Sequence, residues 1–319
     1  MAALEDITSR LDPELVPMFN AVPRPIDAPD IAAGRKRLRD ICALLLMRIP
    51  KGDDVRVEDI TIPGPAGAPD IPLRIFRPAH RKTDHVLLWM HGGGFFAGHH
   101  EDEGIVAIQW VRATGCTIVS VGYRMAPEYQ HPAAVNDCHT ALHWVASGDA
   151  LLGFTPAKIA IGGISAGGCL AAATALKARD QGGPQPCFQL LLIPAFDDRN
   201  ETPSFHEFMD ARTWNRNAGL AAWKMYLGDN VASETLPYAA PARASSLSDL
   251  PPAYIEVAEV DPLRDEAIAY ATRLMQSGVK TELHVYPGAY HGSTFFQPQT
   301  AVSQRAFNDA TRALQTAFA

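Results

Sequence analysis

At 319 residues and 34.5 kDa, with 47% apolar and 20% charged residues, the chain is long enough to bury a large core as one α/β domain carrying an insertion. Its formal charge of −7 and pI near 5.9 exclude the basic footprint that nucleic acid or an anionic membrane requires, so an uncharged substrate is easier to hold than a polyanion. No apolar run is long enough to span a bilayer, and the opening MAALEDITSRLDPELVPMF has no signal-peptide core.

Residues 1–50 read as helical. Ser9 to Leu15 offers a helix start, the proline-rich stretch from Val22 to Pro29 interrupts, and Ile31 to Met47 carries apolar residues at helical spacing. These helices precede the first strand, so they must lie over something built later, as simple packing or as a lid. From Val55 the pattern changes to strands. Val55 to Ile62 and Ile71 to Phe76, separated by Pro63-Gly64-Pro65-Ala66-Gly67, predict an antiparallel hairpin. His85 to Met90 and Cys116 to Tyr123 are almost wholly apolar, as strands covered on both faces are, with a helix from Glu103 to Thr114 between them. Alternation continues with a helix at Ala134 to Ser147, the strand KIAIG at 158–162, an alanine-rich helix at 168–179 and the strand Phe188 to Ile193. The rhythm breaks over 197–248, which has helical stretches, several aromatic residues and no clear strand, so it reads as an insertion. Strand and helix resume at Ala253 to Val260, Asp265 to Gln276, Thr281 to Tyr286 and 300–318. This alternation predicts a mostly parallel sheet with helices on both faces, and ligands then belong beyond the carboxyl ends of the strands. The expected divisions are a helical segment over 1–50, an α/β domain in two parts over 51–196 and 249–319, and an insertion over 197–248.

Chemistry-bearing residues fall at those strand ends. Gly163-Ile164-Ser165-Ala166-Gly167 lies between strand and helix, the setting of a G-x-S-x-G turn that holds a serine on a strained backbone with small neighbours on either side. Because the turn opens a helix, the Ala166 N–H and the positive end of the helix dipole face any negative charge forming beside Ser165. After the HVLLWM strand comes His91-Gly92-Gly93-Gly94-Phe95-Phe96. Three glycines are costly to order, which suits a backbone that must approach a reacting oxygen without a Cβ in the way. Gly93, Gly94 and Ala166 are the expected oxyanion donors, with Gly92 a further candidate, and His91 is read as a brace for the glycine loop. A serine hydroxyl needs a base that a carboxylate orients. His291, in a turn-rich loop after the last strand, is the expected base. Asp261, closing the strand AYIEVAEV before Pro262, is the expected acid, with Glu259 and Asp265 as competitors. Phe95, Phe96 and Trp214 are candidates for lining a substrate pocket, while the other aromatic residues of 197–248 read as cap packing. His99-His100-Glu101-Asp102-Glu103 has metal-ligand residue types but reads as a solvated helix start, and no metal is expected. The five cysteines, odd in number and without C-x-x-C spacing, read as reduced thiols of a cytoplasmic protein.

The order glycine loop, Ser, Asp, His, together with HGGGFFAG (91–98), YRMAPE (123–128), HPAAVND (131–137), GISAGG (163–168), DPLRDE (261–266) and YHG (290–292), resembles the hormone-sensitive-lipase-like α/β-hydrolases, the bacterial family IV carboxylesterases. The likeness runs from about Asp54 to the end. Ile164 departs from it, since such proteins commonly have an acidic residue or threonine there. The resemblance implies an eight-stranded sheet beneath a helical cap and hydrolysis of short- to medium-chain esters by Ser165, Asp261 and His291 without metal or organic cofactor. The expected partner is a small-molecule ester, with no nucleic acid or membrane, and the last strand and helix leave a homodimer open. The same residues could serve an amide, lactone or carbamate. A catalytically silent ligand-binding protein of the same fold is the remaining alternative, which an intact Ser, Asp and His set disfavours.

Overall fold

The computed structural model describes residues 7–21, 30–50, 52–229, 232–233 and 236–319; the proline-rich break expected at 22–29 lies outside them. The hairpin forms from β1 (Val55–Ile62) and β2 (Ile71–Pro78), in antiparallel register from Val55 opposite Pro78 to Ile62 opposite Ile71. The apolar runs that follow become β3 (His85–Met90), β4 (Thr117–Val121), β5 (Lys158–Ile164), β6 (Phe188–Leu192), β7 (Ala253–Val260) and β8 (Thr281–Tyr290). They join in one eight-stranded sheet of order β1-β2-β4-β3-β5-β6-β7-β8, in which every pair from β4 to β8 is parallel. This is the α/β-hydrolase architecture that the motifs imply. The buried faces of β3 to β7 explain their lack of alternation: Leu87, Leu88, Val119, Ile161, Leu190, Leu191 and Ile255 are all inaccessible, some facing one helical layer and some the other.

The helices are α1 (Val16–Ala21), α2 (Ile31–Leu46), α3 (Gly104–Thr114), α4 (Ala133–Ser147), α5 (Ala166–Gln181), α6 (Pro203–Glu207), α7 (Arg216–Leu227), α8 (Arg264–Gln276), α9 (Ser293–Phe296) and α10 (Ala301–Phe318). α4, α5 and α8 pack on one face of the sheet, α3 and α10 on the other. On α10 the buried Val302, Ala306, Ala310, Ala313 and Leu314 recur at helical spacing, giving one apolar stripe. α5 is buried almost all round, because β5, β6 and α4 surround it. Among the described residues, no helix is long and apolar enough to cross a membrane. All five cysteines are free thiols, four of them buried.

Two observations differ from the sequence expectation. β8 continues four residues past Tyr286, through Pro287 and Gly288, because it is an edge strand whose outer N–H groups need no partner and because a register shift in β7 between Ala258 and Val260 lets pairing resume at Tyr290. In the N-terminal segment, Ile7–Arg10 forms a 3₁₀ turn and the α-helix begins only at Val16. That segment is fixed to the far end of the chain: the Asp12 N–H donates to the Gly288 carbonyl at 3.0 Å and Ala301 N–H to Glu14 at 2.8 Å. The described residues of 197–248 hold α6, α7 and two short 3₁₀ turns, with no strand among them.

Candidate active site

Strand register brings the site together. Met90 is opposite Gly163, so the glycine loop after β3 and the Ser165 turn after β5 leave the sheet side by side. Val260 is opposite Tyr290, so Asp261 and His291 also emerge as neighbours.

At the β5–α5 turn, Ser165 has φ 56° and ψ −118°, a conformation that L-residues rarely adopt. The turn is so tight that a Cβ on Gly163 would lie 2.3 Å from the Gly167 carbonyl, and one on Gly167 would lie 2.1 Å from the Met90 oxygen. Ser165 is pinned by its N–H on the Leu192 carbonyl (2.8 Å) and by its own carbonyl, which accepts from Cys169 N–H (3.1 Å) and Ala195 N–H (3.3 Å).

Ser165 Oγ is 3.0 Å from His291 Nε2, and His291 Nδ1 is 2.7 Å from Asp261 Oδ2. Asp261 is buried, and its other oxygen accepts from Leu263 N–H at 2.9 Å. A carboxylate on Nδ1 fixes the tautomer that leaves Nε2 free to accept the serine proton. The competing acids are engaged elsewhere: Glu259 accepts from Gly288 N–H at 2.8 Å, and Asp265 from Ser204 N–H and the Arg264 guanidinium. His139, His143, His206 and His284 lie on α4, α6 and β8, away from this cluster.

The glycine loop folds into a turn in which Gly93 carbonyl accepts from Phe96 and Ala97 N–H. Gly93 (φ 116°) has no room for a side chain, since a Cβ would sit 2.1 Å from the Ala97 oxygen. Among the described residues, the N–H groups of Gly92, Gly93 and Gly94 make no hydrogen bond, and Ala166 N–H begins α5 and has no acceptor within it. Donors free in this way, beside a hydroxyl nucleophile, can hold a developing oxyanion. His91 braces the loop. Its Nδ1 donates to the Gly92 carbonyl (2.8 Å), its ring stacks on Tyr123 at 4.1 Å, and Tyr123 hydroxyl donates to the His91 carbonyl (2.8 Å). Desolvation in this buried position pushes His91 down to about 3, so it stays neutral. The rest of YRMAPE serves the same loop: Ala126 N–H donates to the Phe95 carbonyl, and Arg124 forms a bidentate pair with buried Asp137 of HPAAVND.

A cavity of about 390 Å³ opens beside Ser165 and His291, lined by Gly92, Gly93 and Gly94, by Ile164, Ile193, Trp214, Phe295 and Phe296, and by α1 and α2 through Phe19, Leu38, Ile41 and Cys42. Of the three aromatic residues offered as pocket walls, Trp214 lies on the cavity, its ring 5.9 Å from that of His291. Phe95 and Phe96 are not on its lining. Phe95, with φ 67°, turns its ring away to stack on Tyr226 of α7 at 4.1 Å and to pack near Trp223 of the same helix, and Phe96 is buried beside Gly94. The walls from α1, α2, Phe295 and Phe296 escaped the sequence reading because a lining role leaves no motif, although the Phe pair four residues after His291 was a usable signal. His99, His100 and Glu101 place ligand atoms within 4.8 Å of one another. Glu101, however, already accepts from Arg39 at 2.6 Å and lies 3.5 Å from Arg74, so two guanidinium groups hold the carboxylate a cation would need.

A model of the alpha/beta hydrolase fold family matches residues 87–295. Esterase LipI of Mycobacterium tuberculosis is 38% identical over 309 residues, covering 96% of this chain and 94% of its own. Carboxylesterase NlhH of the same species is 36% identical over 314 residues, covering 97% and 96%. A solved structure titled Bacterial Heroin Esterase superposes with a TM-score of 0.91 at 39% identity, covering 98% of this chain and 99% of that one.

Proposed function

Because the chain belongs to the hormone-sensitive-lipase-like family of α/β-hydrolases and is a carboxylesterase, we propose that it hydrolyses short- to medium-chain carboxylic esters through an acyl-enzyme on Ser165. Ser165 Oγ attacks the ester carbonyl while His291 Nε2 takes its proton. The C–O bond to the alcohol then breaks, and the imidazolium returns the proton to the departing alkoxide. Asp261 orients the ring and stabilises its charged form, and Gly93, Gly94 and Ala166 N–H, with Gly92 adjoining, hold the oxyanion. Water, deprotonated by His291, repeats the cycle on the acyl-enzyme and releases the acid. The observation that carries this reading is the unbroken run of contacts from Ser165 Oγ through both ring nitrogens of His291 to buried Asp261. The substrate is a small molecule that fits the cavity, and no step calls on a metal or organic cofactor.

The test is an alkyl fluorophosphonate followed by intact-mass and peptide analysis. The native protein should gain one adduct, on Ser165, and Ser165→Ala should gain none while retaining its fold. Turnover of a 4-nitrophenyl ester should fall in that variant by about four orders of magnitude or more. Labelling that survives Ser165→Ala, or falls on another residue, would overturn the assignment.

A further inference from the structure

α4 carries two histidines that ester cleavage leaves unused. His139 and His143 stand four residues apart within a 15-residue helix, so they rise from one face, a turn apart. Their rings meet edge to face, with centroids 4.6 Å apart and planes at 72°. Both Nε2 atoms converge on one spot beside the turn that follows α5. A Cβ placed on Gly183 would lie 3.0 Å from His143 Nε2 and 3.5 Å from His139 Nε2, so a glycine at that position leaves both nitrogens facing a cradle the size of one atom. His139 Nε2 is buried and, among the described residues, makes no hydrogen bond. A buried ring nitrogen with nothing to meet it is costly. Desolvation, with the charges of His143 and Lys177 adding to it, pushes His139 down to about 4, so near neutral pH the ring is uncharged and keeps a lone pair. Lys177 of α5 is itself turned aside, donating from its ammonium to the Asn136 side chain.

We propose that His139 and His143 form a two-imidazole site for a divalent late first-row metal ion, binding Cu²⁺ most tightly and then Ni²⁺ and Zn²⁺, seated in the cradle at Gly183. Two imidazoles at i and i+4 of a helix present their nitrogens to one ion. Among the described residues no carboxylate or thiolate completes a three-ligand group with them. Nitrogen donors without oxygen select against Mg²⁺ and Ca²⁺ and leave the order among the late metals to their intrinsic affinities. His143 is exposed, so a turn of its side chain brings both Nε2 atoms to the ~2.1 Å of a metal–imidazole bond, with water completing the coordination on the open side. Both ligands belong to one helix, so the ion requires α4 to be folded and stabilises the native chain, with no part in ester cleavage.

The experiment uses protein without an affinity tag and the metal chlorides alone, near neutral pH. The native protein should be retained on immobilised Ni²⁺, bind one strong equivalent of Ni²⁺ by calorimetry, and gain in thermal midpoint with added Ni²⁺ but not with Mg²⁺. His143→Asn should weaken the affinity about tenfold or more and abolish the gain in midpoint, with turnover of a 4-nitrophenyl ester unchanged. Gly183→Ala alters neither histidine and, lacking a left-handed φ at that position, strains no backbone. Its methyl group occupies the cradle, so Ni²⁺ binding should weaken here too. His99→Asn, in the other histidine pair, should bind as the native protein does. Absence of strong Ni²⁺ binding in the native protein overturns the proposal, as does binding that survives His143→Asn or is lost in His99→Asn. If His143→Asn does not fold, Gly183→Ala decides, and undiminished affinity in that variant overturns it.

Discussion

At the scale of single residues, the site depends on atoms that are absent as much as on those present. Gly167 has the backbone of Met90 and His91 where a side chain would go, 2.1 and 2.4 Å away from their carbonyl oxygens, and backbone cannot swing aside as a flexible side chain can. Gly167→Ala should therefore cost about 3 kcal/mol or more and abolish turnover together with fluorophosphonate labelling. Gly182, at the end of α5 with φ 69° and open space around it, is the control: its alanine variant should lose only about 1 kcal/mol and keep activity. Comparable losses in chemical denaturation would contradict this. His91 supplies a second residue-level prediction, with a definite sign. Its ordinary value of 6.5 falls to about 3 in the folded state, so between those values the unfolded chain binds a proton that the native chain refuses. Its stability contribution is complete above pH 6.5 and is lost as pH falls toward 3, with a limiting slope of about 1.4 kcal/mol per pH unit. Buried Glu103 and Glu256, both raised from 4.5 to about 7 chiefly by burial, act in the opposite sense, losing stability as pH rises through that interval. They are common to both proteins in a comparison with His91→Asn. The native-minus-variant difference in denaturation midpoint should therefore become less favourable to the native protein between about pH 7 and about pH 5, and a difference that does not change with pH would sink the argument.

At the scale of elements, the glycine loop and the cavity wall are tied together by one side chain. Arg35, on α2, donates from Nε to the Phe96 carbonyl (2.6 Å) and from Nη2 to the Ala126 carbonyl (2.9 Å), and grips Glu128 with both terminal nitrogens. It thus ties the helix that bears Leu38, Ile41 and Cys42 to the loops that carry the proposed oxyanion donors. The planar fork of a guanidinium is needed for so many acceptors at once. Arg35→Ala should speed amide exchange across 31–46 and lower kcat/KM about tenfold, and Arg35→Lys should restore little of it. Unchanged exchange in that helix would show that other contacts hold it. The YRMAPE stretch supports the same arrangement through its contacts. Tyr123, Ala126 and Glu128 each hold the glycine loop, or the helix leaning on it, in place.

For the whole molecule, function depends on where α1, α2 and the 197–248 segment meet the sheet. The cavity is bounded on one side by strand-end loops and on the other by α1, α2 and Trp214, and it encloses about 390 Å³. Such a volume admits a small ester and not three long acyl chains, so esters with acyl chains of roughly two to eight carbons should be cleaved much faster than long-chain triglycerides. Comparable rates on emulsified long-chain fat would refute this. Much of this arrangement was legible in the sequence. The strand and helix order, the hairpin, the strand-free stretch after β6 and the Ser165 turn follow from apolar periodicity and from glycines that only a crowded turn requires, both of which are local properties. Asp261 and His291 could be named because each closes a strand. Their 2.7 Å contact depends on a register shift between β7 and β8 that no local pattern announces. Phe95 and Phe96 show the limit from the other side. Both are adjacent to the glycine loop in sequence, yet Phe95, its side chain turned by a positive φ, stacks on Tyr226 of α7, and Phe96 packs beside Gly94. The sequence by itself determined which chemical groups stand at the carboxyl ends of the strands, since that needs only the order of elements and the residues that end them. Only the tertiary structure decided which surfaces enclose the cavity beside Ser165, because a wall is made by helices distant in sequence whose packing angles are set by the whole core.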